Sequence, residues 1–213
     1  MQNTDIRNHK KVFSNIYEKN AWSNGSGTGS TPKYCKRYME FLEKFMKENN
    51  VKNVLDLGCG DWQFSQYIDW SSLDSYIGID IVENVTEENI SKHMALPPPV
   101  IAFFTRDFLN IKKIEPFFGL SNQLILLKDV LMHWTDKEVD VWMKEFIKQP
   151  FSHALITNNW KYYRKPEKND EERTLDKRYS WAPLDSQKEP LKKYNLEVMF
   201  RYRAKQVSLL EKK

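Results

Sequence analysis

Short apolar runs alternate along the chain with segments whose apolar residues have helical spacing. Five such runs, bounded by polar or glycine-rich turns, predict buried strands. Helices are expected between them, the first at 62–68, the second at 84–95 and a later one opened by a capping box at Thr135. We therefore expect strands and helices to alternate five times, which is typical of a parallel sheet with helices on both faces. The five predicted strands lie at 54–57, 75–81, 100–104, 124–127 and 154–157.

The two ends of the chain depart from this alternation. Residues 5–20 place apolar side chains on one helical face, and Thr31 followed by Pro32 favours the start of a second helix. Near the other end, apolar segments at 196–202 and 206–210 are separated by a very short turn, so they must pair antiparallel. The sequence thus predicts a doubly wound α/β fold with N-terminal helices and a mostly parallel seven-stranded sheet that ends in an antiparallel hairpin.

Length and composition indicate one soluble domain over 1–213. A chain of 213 residues with 40% hydrophobic residues can bury a substantial core, and its net charge of +4 is too small to indicate nucleic acid. The two cysteines, Cys35 and Cys59, do not suggest a disulfide framework. Neither a signal-peptide core nor an apolar run of membrane length is evident. We expect a cytoplasmic protein without membrane insertion. The sequence is also compatible with one domain of a longer chain.

The first strand runs into a glycine turn with an acidic residue on either side. Asp56 precedes the two glycines, Gly58 and Gly60, and Asp61 stands where the N-cap of the predicted helix 62–68 belongs. A strand, a glycine turn and a helix N-terminus are typical of nucleotide-type binding sites. The pattern lacks the third glycine of a dinucleotide fingerprint and the lysine of a P-loop, so it does not predict a pyrophosphate site. Without a pyrophosphate to bind, an acidic turn favours a cationic or neutral ligand over a phosphate.

Asp80 ends the second predicted strand about twenty residues after the glycine turn. Doubly wound folds place a carboxylate there, and two carboxylate oxygens match two neighbouring ribose hydroxyls. A solvated strand-end aspartate is the alternative interpretation. The spacing favours the ligand-binding one.

The segment 55–60, Leu-Asp-Leu-Gly-Cys-Gly, resembles the first motif of class I S-adenosylmethionine-dependent methyltransferases. The resemblance implies a Rossmann-like fold, S-adenosyl-L-methionine as cofactor and S-adenosyl-L-homocysteine as product. It further implies that Asp107 receives the adenine amino group and that Phe108 packs against the ring. The cofactor-binding residues implied in this way are Trp22, Ser26, Gly27, Gly29, Ser30, Asp56, Gly58, Cys59, Gly60, Asp61, Trp62, Asp80, Ile81, Asp107, Phe108 and Lys128.

A narrower resemblance extends over nearly the whole chain. The segments 13–17, 26–30 and 129–133 resemble a methyltransferase group of bacteria and large viruses whose members often accompany glycan-assembly genes. Lys128 stands where that group usually has arginine, and residues 160–185 depart from its pattern. The Gly/Ser-rich loop at 24–30 reads either as a flexible linker or as a ligand cover. The resemblance favours the cover. The expected domain then has two parts. The N-terminal part, 1–50, contains helices and the covering loop, and the core, 51–213, contains an acceptor loop at 160–185.

Asp129 and His133 are the candidate catalytic residues after the fourth strand. Methyl transfer to an alcohol needs a general base, and residues four apart share a face of a helical turn. The sequence offers too few clear oxygen ligands to favour a metal instead. It also lacks the Asn/Asp-Pro-Pro-aromatic motif of many amino-group methyltransferases, which favours oxygen as the acceptor atom.

Aromatic and charged residues concentrate at 160–181, which predicts a long loop or lid. Aromatic faces stack on the C–H faces of sugars, so we expect a sugar or glycan substrate. An ordinary surface loop, or stacking on nucleobases, is the alternative for this segment. The expected activity is O-methylation of a glycan or its precursor; an RNA or small-molecule methyltransferase and a non-catalytic cofactor-binding domain are the alternatives. The candidate substrate-binding residues are Asn158, Trp160, Tyr162, Tyr163 and Trp181.

Overall fold

A seven-stranded sheet forms the centre of the protein, for which a computed structural model describes residues 8–96, 98–161 and 181–212. The strand order is β3-β2-β1-β4-β5-β7-β6. The first five strands are parallel, and β7 pairs antiparallel with both β5 and β6. This topology confirms the predicted α/β fold with its terminal hairpin. The strands are β1 (Asn53–Leu57), β2 (Ser75–Asp80), β3 (Val100–Thr105), β4 (Gln123–Lys128), β5 (His153–Asn159), β6 (Glu197–Tyr202) and β7 (Lys205–Glu211).

Four α-helices surround the sheet in the described ranges: α1 (His9–Glu18), α2 (Pro32–Glu48), α3 (Glu83–His93) and α4 (Asp136–Phe146). Proline occupies the first turn of α2, as expected from its preset backbone angle. The predicted capping box opens α4. The Glu138 amide donates to Thr135 Oγ1, and the Thr135 amide donates to Glu138 Oε2 at 2.8 Å. None of the helices in these ranges is long and apolar enough to cross a membrane.

The prediction of a helix at 62–68 is wrong, because this segment contains a single 3-10 turn, Ser65–Tyr67. Trp62 adopts a φ of +57°, which a right-handed helix excludes. Its ring is buried against Tyr76 and Phe103, so packing on the sheet overrides the local helical pattern. The β3–β4 connection also has 3-10 turns in place of an α-helix. The expected fivefold alternation of strands and helices is therefore wrong, although the sheet itself was predicted.

The sheet separates two apolar cores, and β1 contributes to both of them. Its five residues are all buried, as in central parallel strands. Val54 belongs to the core that includes Leu42 of α2, whereas Leu55 belongs to the core that includes Phe146 of α4. Both faces of β1 are therefore covered by packed side chains. This fixes the geometry at the carboxyl end of the strand.

Candidate active site

A cavity opens at the carboxyl ends of β1, β2 and β4, where ligands bind in open α/β sheets. It encloses about 760 Å³ of empty space, part of which is open to solvent. Helix α1 and the Gly/Ser loop complete its wall. The lining residues are Phe13, Tyr17, Trp22, Ser26, Ser30, Asp56, Gly58, Cys59, Gly60, Phe64, Asp80, Ile81, Phe108, Lys128, Asp129, Val130, His133 and Trp134.

The glycine turn after β1 has room for no side chain at either glycine. Gly58 has a φ of +81°, and a Cβ there would lie 2.4 Å from Val130 Cγ2. Gly60 has a φ of +57°, and a Cβ there would lie 2.4 Å from Ser26 Oγ. Both the backbone conformation and the close approach of other elements therefore require glycine. Both glycines line the cavity, so the backbone of the turn forms part of its wall.

Asp80 is held by the turn that it faces. Its carboxylate accepts hydrogen bonds from the amides of Gly60 and Val82, each at 3.0 Å. Burial raises the pKa of Asp80, and these amide hydrogen bonds offset part of that rise. A carboxylate oxygen can accept more than one hydrogen bond, so Asp80 retains capacity to bind hydroxyls in the cavity.

Asp56 is the second buried carboxylate of the cavity. It accepts a hydrogen bond of 2.6 Å from the Tyr76 hydroxyl. Burial raises its pKa to about 6, although the Tyr76 hydroxyl and nearby Lys128 both act to lower it. Together with Asp80, it gives this part of the cavity an acidic character.

The Gly/Ser loop is fastened to the glycine turn by reciprocal hydrogen bonds. The Ser26 amide donates to Asp61 Oδ2 at 3.0 Å, and the Asp61 amide donates to Ser26 Oγ at 3.1 Å. Tyr17 of α1 lies within hydrogen-bond distance of the same Ser26 oxygen, at 2.6 Å. We call Tyr17, Ser26 and Asp61 the latch. These contacts favour the cover interpretation of the loop over the flexible linker.

Only part of the loop reaches the cavity. Ser26 and Ser30 line it, as does Trp22 just before the loop. Gly27 and Gly29 lie outside the lining. The Gly29 carbonyl nevertheless accepts a hydrogen bond of 3.2 Å from Lys128 Nζ, and Lys128 does line the cavity. Asp61 also lies behind the lining, in the latch, and does not cap a helix.

Two lysines hold Asp129 in what we call the Lys–Asp–Lys cluster. Lys128 Nζ lies 2.8 Å from Asp129 Oδ2, and Lys205 Nζ lies 2.5 Å from Asp129 Oδ1. Burial alone would raise the pKa of Asp129, but the two lysines outweigh it and lower that pKa to about 2. Burial lowers the pKa of Lys205, and Asp129 offsets only part of this effect. The cluster thus keeps Asp129 ionised and weakly basic.

His133 belongs to an aromatic wall on the same cavity. Its ring lies 5.4 Å from Phe13 and 5.3 Å from Trp22, between centroids. Asp129 and His133 do not share a helical face as predicted. Asp129 has a φ of +62°, and His133 ends a 3-10 turn. Both nevertheless line the cavity.

Two further cofactor predictions lie outside the cavity lining. The Trp62 ring is buried in the core beside α2, where it also contacts His93. The Asp107 carboxylate accepts from the Leu109 amide at 3.2 Å and lies 3.6 Å from Lys113 Nζ. Its neighbour Phe108 does line the cavity. A contact between Asp107 and adenine therefore stays a prediction.

The predicted substrate-binding residues that the structure describes also lie outside the lining. Asn158 is buried, and its Oδ1 accepts from the Met132 amide at 3.2 Å, which fixes the turn that carries His133. The Trp160 ring contacts Arg201, and Trp181 packs against the core beside α4. Tyr162 and Tyr163 lie outside the described residues.

Several residues of the site are missing from the sequence-based prediction. Phe13 and Tyr17 occur in a segment that carries the narrower resemblance, so that segment contained a usable signal. Lys205 lies 76 positions from Asp129 in the sequence, and nothing in a local pattern indicates their contact. No group of three or more His, Cys, Asp or Glu side chains suited to a metal ion occurs within 8–96, 98–161 and 181–212. The other lining residues not predicted are Phe64, Val130 and Trp134.

Solved structures provide the decisive comparison. The N-methyltransferase NodS from Bradyrhizobium japonicum WM9, in complex with S-adenosyl-L-homocysteine, aligns with a TM-score of 0.63 over 93% of this chain and 97% of its own, at 12% identity. Magnesium protoporphyrin IX methyltransferase ChlM from Synechocystis PCC 6803, with bound S-adenosylmethionine, aligns with a TM-score of 0.62 over 100% of both chains, at 13% identity. The chain has the class I methyltransferase fold.

The methyltransferase domain of bacterial CtHen1 shares this fold as well. It aligns with a TM-score of 0.61 over 83% of this chain and 98% of its own, at 18% identity. No protein-family model matches the chain, and no curated protein sequence does. At such low identity the methyltransferase fold is common to proteins with different acceptors. The acceptor must therefore be inferred from the cavity itself.

Proposed function

We propose that this protein is an S-adenosylmethionine-dependent O-methyltransferase that acts on a sugar hydroxyl of a glycan or glycan precursor. The observation that carries the proposal is one cavity that combines the glycine turn, Asp80 and His133 on the methyltransferase fold. The neighbours of known structure include proteins with S-adenosylmethionine or its product bound, which supports the cofactor assignment.

The residues at the glycine turn fit S-adenosylmethionine. Asp80 would bind the ribose hydroxyls, because its two oxygens are oriented by backbone amides. Phe108 offers an apolar surface for a base. The acidic side chains Asp56 and Asp80 favour a cationic ligand. When bound, the cofactor supplies a methyl group that is already activated by its sulfonium, and the protein mainly contributes alignment.

His133 is the better candidate for the general base. Asp129 has a pKa of about 2 and accepts from two lysines, so it would take a proton from a hydroxyl poorly near neutral pH. Histidine is the side chain that most often serves as a general base, and His133 lines the cavity. We assign proton removal to His133. Asp129 then has a positioning role, in which it orders Lys128 in the cavity lining and Lys205 behind it.

The aromatic wall supports a sugar as the acceptor. Phe13 and Trp22 line the cavity beside His133 and offer faces for stacking on the C–H face of a sugar ring. The segment after β4 lacks the Asn/Asp-Pro-Pro-aromatic motif of many amino-group methyltransferases. NodS is an N-methyltransferase with the same fold, so the choice of oxygen rests on His133 and on this missing motif.

A mass-spectrometric assay with a panel of glycans and glycan precursors tests the proposal. We expect a gain of one methyl group on a sugar. His133→Asn should lower turnover by about 10²–10⁴-fold, the range for loss of a general base, while binding of S-adenosylhomocysteine is retained. Asp129→Asn should reduce turnover less, because it removes a positioning group. Methylation of RNA or protein alone would overturn the glycan assignment, and binding of cofactor without any transfer would favour a non-catalytic domain.

A further inference from the structure

His9, the first residue of α1, is a buried histidine outside the cavity lining. Its Nε2 lies 2.9 Å from Glu138 Oε1. Burial raises the pKa of Glu138, but hydrogen bonds from His9 and from the Thr135 amide outweigh this and lower that pKa. The ionised carboxylate can only accept, so His9 Nε2 carries a hydrogen and donates it. The other ring nitrogen, Nδ1, is buried without a hydrogen-bond partner among the described residues, so Glu138 is the polar contact that orients the ring.

Glu138 connects His9 to the start of α4. Its Oε2 accepts from the Thr135 amide at 2.8 Å in the capping box, while its Oε1 faces His9. Thr135 lies two residues after His133 in the sequence. One carboxylate therefore joins the first turns of α1 and α4, directly beside the segment that carries His133.

The His9 ring also contacts two aromatic side chains that line the cavity. Its centroid lies 6.0 Å from that of Phe13, with 18° between the ring planes, and 6.2 Å from that of Trp134. Phe13 in turn meets His133 edge to face, with 5.4 Å between the centroids and 88° between the planes. Aromatic pairs favour stacked and edge-to-face arrangements, so the orientation of His9 constrains Phe13, and Phe13 constrains one side of His133.

We propose that His9 is a positioning residue for His133. It acts through Glu138, which holds the start of α1 against α4 and keeps Phe13 beside the His133 ring. This inference rests on the proposed function, in which His133 removes a proton from the acceptor. His9 does not line the cavity and takes no part in proton transfer. A general base must be aligned with its hydroxyl, so a loss of orientation should reduce turnover more than cofactor affinity.

Proton NMR of the His133 ring tests this geometry without an acceptor. The chain contains four histidines, so the Hε1 signal of His133 can be assigned by its loss in His133→Asn. Phe13→Leu removes the ring current of the neighbouring side chain and shows where the signal lies without it. We expect His9→Leu to shift the signal in the same direction as Phe13→Leu. His9→Gln, whose amide can still donate to Glu138, should keep the signal near its wild-type position.

His153→Leu is the matched control. His153 Nε2 lies 3.6 Å from Glu211 Oε1, and its ring meets Phe45 edge to face at 5.5 Å between centroids. His153 begins β5, at the end of the strand opposite to the cavity. Its replacement removes a similar set of contacts and should leave the His133 signal unchanged. Circular dichroism verifies that each variant folds.

A second variant tests the same contact from the side of α4. Glu138→Asp shortens the carboxylate that His9 contacts, so it should shift the His133 signal as His9→Leu does. It also decides the proposal if His9→Leu does not fold.

Steady-state kinetics with an acceptor from the glycan panel tests the consequence for turnover. We expect His9→Leu to lower kcat roughly 10–100-fold, the scale for a misplaced catalytic group, while the Kd of S-adenosylhomocysteine changes less than about threefold. The latch at the other end of α1 is not altered by this variant, which is why cofactor affinity should be retained. His9→Gln should recover most of the lost kcat.

The contrary outcomes are distinct. An unshifted His133 signal in folded His9→Leu would overturn the proposal, as would a shift that His9→Gln shares. A shifted signal with unchanged kcat would show that this orientation does not matter for the reaction, and would also overturn it. If the wild-type chain methylates no glycan, the proposed function fails instead, and the NMR comparison still decides whether His9 orients His133.

Discussion

Asp56 is the residue at which stability and ligand binding oppose each other most clearly. Its carboxyl is buried, and its pKa in the folded protein is about 6, above the value of about 3.9 in an unfolded chain. The protonated form is therefore favoured by folding. Its contribution to stability is complete below about pH 4 and is lost as the pH rises through 6. At neutral pH the ionised Asp56 costs stability.

Asp56→Asn should raise the free energy of unfolding at pH 7.5 by about 1–3 kcal/mol, the scale of a two-unit pKa shift. The amide oxygen can still accept the Tyr76 hydrogen bond, while the buried charge is removed. The dependence of stability on pH between 4 and 6 should flatten. Binding of S-adenosylhomocysteine should weaken. Urea unfolding at pH 4.5 and 7.5 measures the change, with Asp74→Asn as an exposed control. A loss of stability at pH 7.5 would contradict this account of Asp56.

Asp129 illustrates what a local pattern can and cannot indicate. The sequence identifies an acidic residue after β4 and suggests a general base. Its basicity depends on Lys205, which arrives from β7, and on the burial of both groups. Electrostatics of this kind is set by tertiary contacts, so the residue could be predicted as part of the site but its role could not.

The latch joins three elements, namely α1, the Gly/Ser loop and the glycine turn. Tyr17 comes from α1, Ser26 from the loop and Asp61 from the turn after β1. Ser26 and Tyr17 also line the cavity. If the cofactor binds at the glycine turn as proposed, we expect these hydrogen bonds to hold the loop beside it and to slow its release.

Tyr17→Phe removes the hydroxyl of the latch and little else. We expect affinity for S-adenosylhomocysteine to fall about fivefold, the equivalent of one net hydrogen bond of about 1 kcal/mol, mainly through faster dissociation. Stopped-flow or surface-plasmon measurements resolve the rate. Tyr194→Phe, which removes a hydroxyl bonded to Asp140 outside the cavity, is the matched control. Equal dissociation rates for wild type and Tyr17→Phe would show that the latch does not retain the ligand.

The elements that the sequence predicted well are those with strong local signals. Each strand of the sheet and the capping box of α4 follow from apolar runs and from hydrogen-bonding residue types. The segment 62–68 has helical spacing, yet its Trp62 is drawn into the core and adopts a left-handed backbone. Burial of a large ring outweighed a weak helical preference, and sequence spacing alone does not reveal which of the two dominates.

The order of the strands determines where the site forms. β1 lies inside the sheet, with β2 and β3 on one side and β4, β5, β7 and β6 on the other. A crevice forms where the chain changes direction across the sheet, next to β1 and β4. Strand ends could therefore be assigned to one site from sequence. The contributions of α1 and β7, which approach that edge from distant parts of the chain, required the structure.

This cavity is proposed to bind S-adenosylmethionine and to use it for methyl transfer. Asp80 connects the glycine turn to the second strand, and it is the residue assigned to the ribose. Loss of its charge-assisted hydrogen bonds should cost about 2 kcal/mol of binding free energy, or roughly a thirtyfold loss of affinity.

Calorimetric titration of S-adenosylhomocysteine into the wild-type chain and into Asp80→Asn provides the most direct test, with circular dichroism to verify folding. We predict saturable binding at one site per wild-type chain and binding roughly thirty times weaker in Asp80→Asn. The absence of binding to the folded wild-type chain would contradict the proposal that the cavity binds S-adenosylmethionine. Equal affinity of both proteins would contradict the assignment of Asp80 to the ribose.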